Sequence, residues 1–159
     1  METHAVSIYF RRLHYSLFSI ETGKPVLVKT AAHLLMNMAY GNKDRLQAGC
    51  IVAGWDPVEG PAVYNITIGG SLLKMDFATG GSGSLFIQGL VDAEIKAAGG
   101  GKHNMTLDQA RDFVKRAVAH AMARDQGSGG IIRTVVVTPT GNDRDLVQGN
   151  QLPFGPTGF

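Results

Sequence analysis

The sequence predicts an α+β domain whose sheets are mainly antiparallel. Three observations lead there. Apolar residues recur at helical spacing in two early stretches and one later one. Five other stretches carry strand signals. Tight turns, not helices, join most of those strands, so the rhythm of a parallel βαβ sheet is missing. With 159 residues, 44% hydrophobic and 18% charged, the chain suits one domain over residues 1–150, burying roughly 70% of the surface that it exposes when unfolded. Residues 151–159, "QLPFGPTGF", carry Pro and Gly without periodicity and read as an extended arm.

Val6, Phe10, Leu13 and Leu17 have the spacing of an amphipathic helix. "ETGK" breaks it, and Pro25 suits the first turn of a second helix, whose face is Val28, Ala31, Ala32, Leu35 and Met38, ending near Gly41. "QAGCIVAGW" is nearly continuously apolar, as expected of a strand covered on both faces. "DPVEGP" turns the chain, and "AVYNITI" and "SLLKMDF" flank Gly69-Gly70, which reads as a two-residue hairpin turn. "TGGSGSLF" follows, and the segment after it has room for a short helix, but the element order expected is two helices, three strands, a long helix and two strands. Thr106 and Gln109 form a capping-box pattern with Met105 as the staple residue, opening a long helix. Its expected stripe is Ala110, Phe113, Val114, Ala117, Val118 and Ala121. The corner "ARDQGSGG" leads into the strand "IIRTVVVT", the turn "PTGN" and a shorter strand around "RDLVQG".

Several function classes are disfavoured. The net charge is only +2, with the basic residues scattered, whereas nucleic-acid binding needs a clustered basic face. No apolar run approaches the roughly 20 residues of a membrane span. The start, "METHAVSIYFRR", does not read as a signal peptide. Cys50, the one cysteine, excludes an intrachain disulfide, fits a reduced compartment and reads as a buried small hydrophobe. The five histidines are dispersed and show no zinc spacing, so neither metal nor cofactor is expected. "AAGGGKHN" fails the phosphate-loop pattern. "TGGSGSLF" fits no dinucleotide fingerprint. No G-x-S-x-G elbow is present.

Two glycine corners remain, each rich in groups that bond locally. "GGSGS" holds Ser82, and "RDQGSGG" holds Asp125 and Ser128. Taken alone, each reads as a packing turn in which Gly supplies unusual backbone angles and Ser or Asp bonds to nearby backbone.

With their surroundings, "IVAGWDPVEGPAVYNITIGG", "FATGGSGSLFIQGLVDAEIK", "MTLDQARDFVKRAVAHAMARDQGSGGIIRTVVVT" and "GNQLP", the corners resemble the β-type subunits of the 20S proteasome. "AGWD" and the "G-x-x-LP" ending resemble the caspase-like (delta-type) branch, and the resemblance runs from about Thr3 to Pro153. It implies the N-terminal-nucleophile hydrolase fold, a four-layer αββα sandwich, here without its first strands. It also implies a threonine-type endopeptidase that cleaves after acidic residues. In that chemistry the hydroxyl of an N-terminal threonine attacks the peptide carbonyl, and its own α-amine, titrating near 8, serves as base. Asp125, Ser128 and Ser82 match the family's supporting residues around that amine. The implied partners are other proteasome α- and β-type subunits in stacked rings and unfolded polypeptide substrates, with no nucleic acid and no membrane. The implied location is cytoplasmic and nuclear.

The family's nucleophilic threonine, early aspartate and lysine have no counterpart among these residues, and the sequence contains no Gly-Thr junction. The 159-residue chain alone is therefore expected to be inactive. A non-catalytic structural ring subunit is the alternative reading, and an independent phosphate binder a more distant one.

Overall fold

The computed structural model describes residues 23–24, 26–99 and 105–152. The first expected helix around Val6–Leu17, Pro25, Lys102 and His103, and the arm beyond Leu152 lie outside the described residues. The chain forms two compact units, Met1–Met75 and Asp76–Phe159.

In the first unit, helix α1 (Val28–Gly41) is followed by strands β1 (Cys50–Asp56), β2 (Gly60–Ile66) and β3 (Leu72–Met75). The strands form one antiparallel sheet in the order β1-β2-β3, with Cys50 opposite Ile66, Asp56 opposite Gly60, and Ile66 opposite Leu72. The period-2 alternation sends Ala62, Tyr64 and Ile66 of β2 to one side. There they join Val52 and the Val28, Ala31 and Ala32 face of α1 in a buried core. Gly54 lets the helix start sit close, because a Cβ there would lie 3.0 Å from Val28 Cγ2. Leu35 and Met36 pack at the edge of that core, and Ala39 is buried as well.

Three sequence expectations change here. Among the described residues of this unit, α1 covers one face of β1: Val52 is buried there, whereas Ile51 on the opposite face is 42% exposed. Cys50 is half-buried, packed at the edge of the core, and burial pushes its thiol up. The β2–β3 loop has three residues, not two. Thr67 and Ser71 face each other (Thr67 N–H to Ser71 O, 3.0 Å), and the Gly70 N–H donates to the Thr67 carbonyl at 2.9 Å. Of the two glycines only Gly70 takes positive φ, +84°, which suits a three-residue loop closed by a left-handed residue and not a turn needing two.

Asp56 organises this unit. Leu27, at the N-cap of α1, makes no side-chain cap, so the orphan amides of the first turn need another acceptor. Asp56, 2% exposed, supplies it from 28 residues away: its Oδ2 accepts the Val28 N–H at 2.9 Å. Its Oδ1 accepts the Val58 and Glu59 amides at 2.9 and 2.8 Å, forming the β1–β2 turn. The amides of Glu59 and then Val28 hold this carboxyl below its ordinary range. A depressed carboxylate stabilises the fold above its unfolded value, near 3.9, and the contribution fades as pH falls through the folded value. Asp56→Asn is therefore expected to lower the urea midpoint at pH 7, with the gap from the parent closing below about pH 4.

In the second unit, helices α2 (Ser84–Ala97) and α3 (Leu107–Arg124) precede strands β4 (Ile131–Thr138) and β5 (Gly141–Gln148) and a 3₁₀ turn, Gly149–Gln151. The capping box forms as the sequence predicts: the Gln109 N–H donates to Thr106 Oγ1 at 3.3 Å, and the Thr106 N–H to Gln109 Oε1 at 2.8 Å. Phe113, Ala117 and Ala121 of α3 bury against Ile87 and Val91 of α2, with Met105 and Phe77 packed at the margin. β4 and β5 pair antiparallel from Ile131–Gln148 to Thr138–Gly141. Ile132 and Thr134 are the buried residues of β4. Ion pairs from Arg111 to Asp143 and from Lys115 to Asp145, the latter at 2.6 Å, tie α3 to β5.

The second unit also corrects the sequence expectations. The segment after "GGSGS" is a full helix of 14 residues. Val114, placed in the buried stripe, is 45% exposed, and Ala119 is buried instead. The last strand is as long as its partner, eight residues each, because the turn consumes only Pro139 and Thr140. The 3₁₀ turn Gly149–Gln151 takes in Gln151, the first residue of the expected arm.

Candidate functional site

The two glycine corners meet within the second unit. α3 ends at Arg124, and Asp125 leaves the helix in extended conformation while its N–H still bonds the Ala121 carbonyl at 2.8 Å. This exit turns the carboxylate back toward the start of α2. Its Oδ2 accepts the Ser128 hydroxyl at 2.6 Å and the Ser82 hydroxyl at 2.7 Å, the latter across 43 positions. Its Oδ1 accepts the Gly127 N–H at 3.2 Å. The Ser128 N–H closes the turn on the Asp125 carbonyl at 3.1 Å. All three residues that the sequence singles out are thus joined through one carboxylate.

Glycine makes the approach possible. A Cβ on Gly83 would lie 2.9 Å from the Ala121 Cβ, 3.0 Å from Ser128 Oγ and 3.4 Å from Asp125 Oδ2. One on Gly127 would lie 3.3 Å from Ser82 Oγ. Close approach was legible for the glycines of "TGGSGSLF", Gly83 among them, but the groups that fill the room, Ala121 and Ser128 across the gap, were not. Ser84 stays local, donating to the Gly81 carbonyl at 2.7 Å.

The electrostatics decide what the cluster can do. The Ser128 hydroxyl first, then the Ser82 hydroxyl and the Gly127 amide, hold the Asp125 carboxyl below its ordinary range. A carboxylate this weakly basic is a poor proton acceptor near neutral pH, so it does not activate either serine as a nucleophile. Both hydroxyls spend their one proton on Oδ2, which leaves their oxygens as acceptors. The arrangement is a set of acceptor oxygens beside a fixed negative charge, suited to a positively charged N–H donor. Among the described residues no group of His, Cys, Asp and Glu could hold a metal ion, and no helix is long and apolar enough to cross a membrane.

Antiparallel sheets with helices packed on them, and every pairing antiparallel among the described residues, are the α+β build of the N-terminal-nucleophile hydrolases. Residues 5–137 match the family described as Proteasome subunit. The chain is 43% identical over 152 residues to Proteasome subunit beta type-6 of Dictyostelium discoideum, covering 96% of this chain and 68% of that one. It is 40% identical over 151 residues to Proteasome subunit beta type-6 of Arabidopsis thaliana, covering 95% and 62%. It is 44% identical over 137 residues to Proteasome subunit beta type-9 of Homo sapiens, covering 86% and 59%. The chain belongs to the proteasome subunit family, among its β-type members. It spans less than two thirds of the length of the plant and human relatives.

Proposed function

We propose that these residues belong to a catalytic β-type subunit of the 20S core particle, a threonine-type endopeptidase of the caspase-like branch that cleaves after acidic residues. The nucleophilic threonine is carried by a segment outside these 159 residues. Asp125, Ser128 and Ser82 hold its α-amine. The hydroxyl adds to the substrate carbonyl as the amine takes its proton, and an orienting cluster keeps that amine within reach. The chemistry calls for no metal or cofactor. The subunit works inside stacked rings with other α- and β-type subunits, degrades unfolded polypeptides, and resides in cytoplasm and nucleus.

One observation carries this reading: two serine hydroxyls, from corners 46 positions apart in Ser82 and Ser128, converge on the same Asp125 oxygen. A packing turn needs only the local Ser128 bond. The intact mass and N-terminal residue of the subunit, purified from its natural particle, test the reading together with hydrolysis of peptides that carry an amide-linked leaving group after Asp or Glu. An N-terminal threonine with hydrolysis is expected. A different terminus without hydrolysis would leave a structural ring subunit.

A further inference from the structure

We propose that Gly149 is a positioning residue for the Ser128 corner, acting from the far end of β5; the proposal rests on the amine-holding reading above. The register that sets Ile131 opposite Gln148 brings the 3₁₀ turn beside the residues that lead into β4. The Gly149 N–H donates to the Gly130 carbonyl at 2.9 Å. A Cβ on Gly149 would lie 2.7 Å from that carbonyl oxygen and 3.5 Å from its carbon. The contact is backbone on backbone, so no side chain can swing aside to relieve it.

Gly130 follows Ser128 by two residues and takes φ +87°, a conformation that glycine holds without strain. The corner is therefore fixed at both ends. Asp125 anchors one end through its bond to Ala121 on α3, and Gly149 anchors the other through Gly130. Between them, Ser128 Oγ is held 2.6 Å from Asp125 Oδ2. An alanine at 149 pushes the Gly130 carbonyl away and carries Ser128 with it. Acceptors around an amine favour its ammonium form, so retracting one lowers the amine's pKa. The acid limb of the rate profile then moves to lower pH while the maximal rate falls, because the base is less well placed.

The test uses assembled particles containing the full-length subunit and peptides that carry an amide-linked leaving group after Asp or Glu. Gly149→Ala is expected to lower kcat between about 10- and 100-fold, to move the acid limb to lower pH, and to leave KM nearly unchanged. A parental kcat and pH profile overturns the proposal. Asp125→Asn, measured in parallel, separates the two levels. If it leaves kcat intact, the amine-holding reading falls; if it lowers kcat while Gly149→Ala does not, only the role of Gly149 falls. Should Gly149→Ala particles fail to assemble, one glycine inserted between Gln148 and Gly149 shifts the turn off Gly130 without adding a side chain. The same pH shift is expected. Failure of both variants to assemble also overturns the proposal, since a positioning contact must be separable from assembly.

Discussion

Asp125→Asn in the full-length subunit, assembled in its ring, is expected to lower kcat on the order of 100-fold, with assembly intact. The amide is nearly isosteric, so the end of α3 keeps its packing. What changes is charge and hydrogen-bond sense. An amide offers one acceptor oxygen where the carboxylate has two. It therefore cannot hold the Ser82 and Ser128 hydroxyls on one oxygen and the Gly127 amide on the other as strongly. It also removes the negative charge that favours the ammonium form of a neighbouring amine. The amine's pKa falls, and the acid limb of the pH–rate profile moves to lower pH. Asp125 in the parent is itself held below the carboxylate range, so its own protonation enters only below about pH 4. Steady-state kinetics on purified particles, with thermal stability as the control, check this. A variant with the parental rate and profile counts against the site.

The second large effect is structural. Gly83→Val is expected to cost about 3 kcal/mol, toward the upper end of overpacking, and to pull the two corners apart. The Cβ alone would lie 2.9 Å from the Ala121 Cβ, which is fixed to the backbone of α3. Gly70 is an instructive contrast. A Cβ there would meet Tyr40 Cδ2 at 2.7 Å and Tyr40 Cβ at 3.1 Å; the ring, on a residue 53% exposed, can turn away, so a tight contact with the fixed Cβ remains beside the left-handed backbone cost of about 1–2 kcal/mol. At Gly83 the helices themselves must separate, and Ser82 moves off Asp125 with them. Chemical denaturation of the variant, and its kcat in assembled particles, should both fall. Unchanged values for both would mean that the α2–α3 junction tolerates what its geometry forbids.

Local features were legible in the sequence, and features that depend on distant partners mostly were not. The Thr106–Gln109 capping box lies within four residues and forms as written. The length of α2 was obscured because Leu85 and Phe86, 86% and 56% exposed, blur its apolar period, and Gly89 interrupts it. Only Ile87 and Val91, one turn apart, are buried there. Val114 was misplaced because an apolar residue next to a stripe looks like part of it. The Asp56–Val28 bond and the Arg111–Asp143 pair leave no mark in sequence spacing, since topology alone brings those residues together. The Ser82–Asp125 bond spans 43 positions and was legible only because the two glycine corners together resemble a known pair. Physical reading of either corner alone favoured a turn.

The most direct test of the central claim is the position of the N-terminal amine in a structure of the assembled full-length particle. The expected result is a threonine whose amine nitrogen lies within about 3.2 Å of Ser128 Oγ or an Asp125 carboxylate oxygen, with the Ser82 and Ser128 hydroxyls still bonded to Asp125. An amine held elsewhere, with the Asp125 cluster closed on itself as a packing turn, would contradict the account.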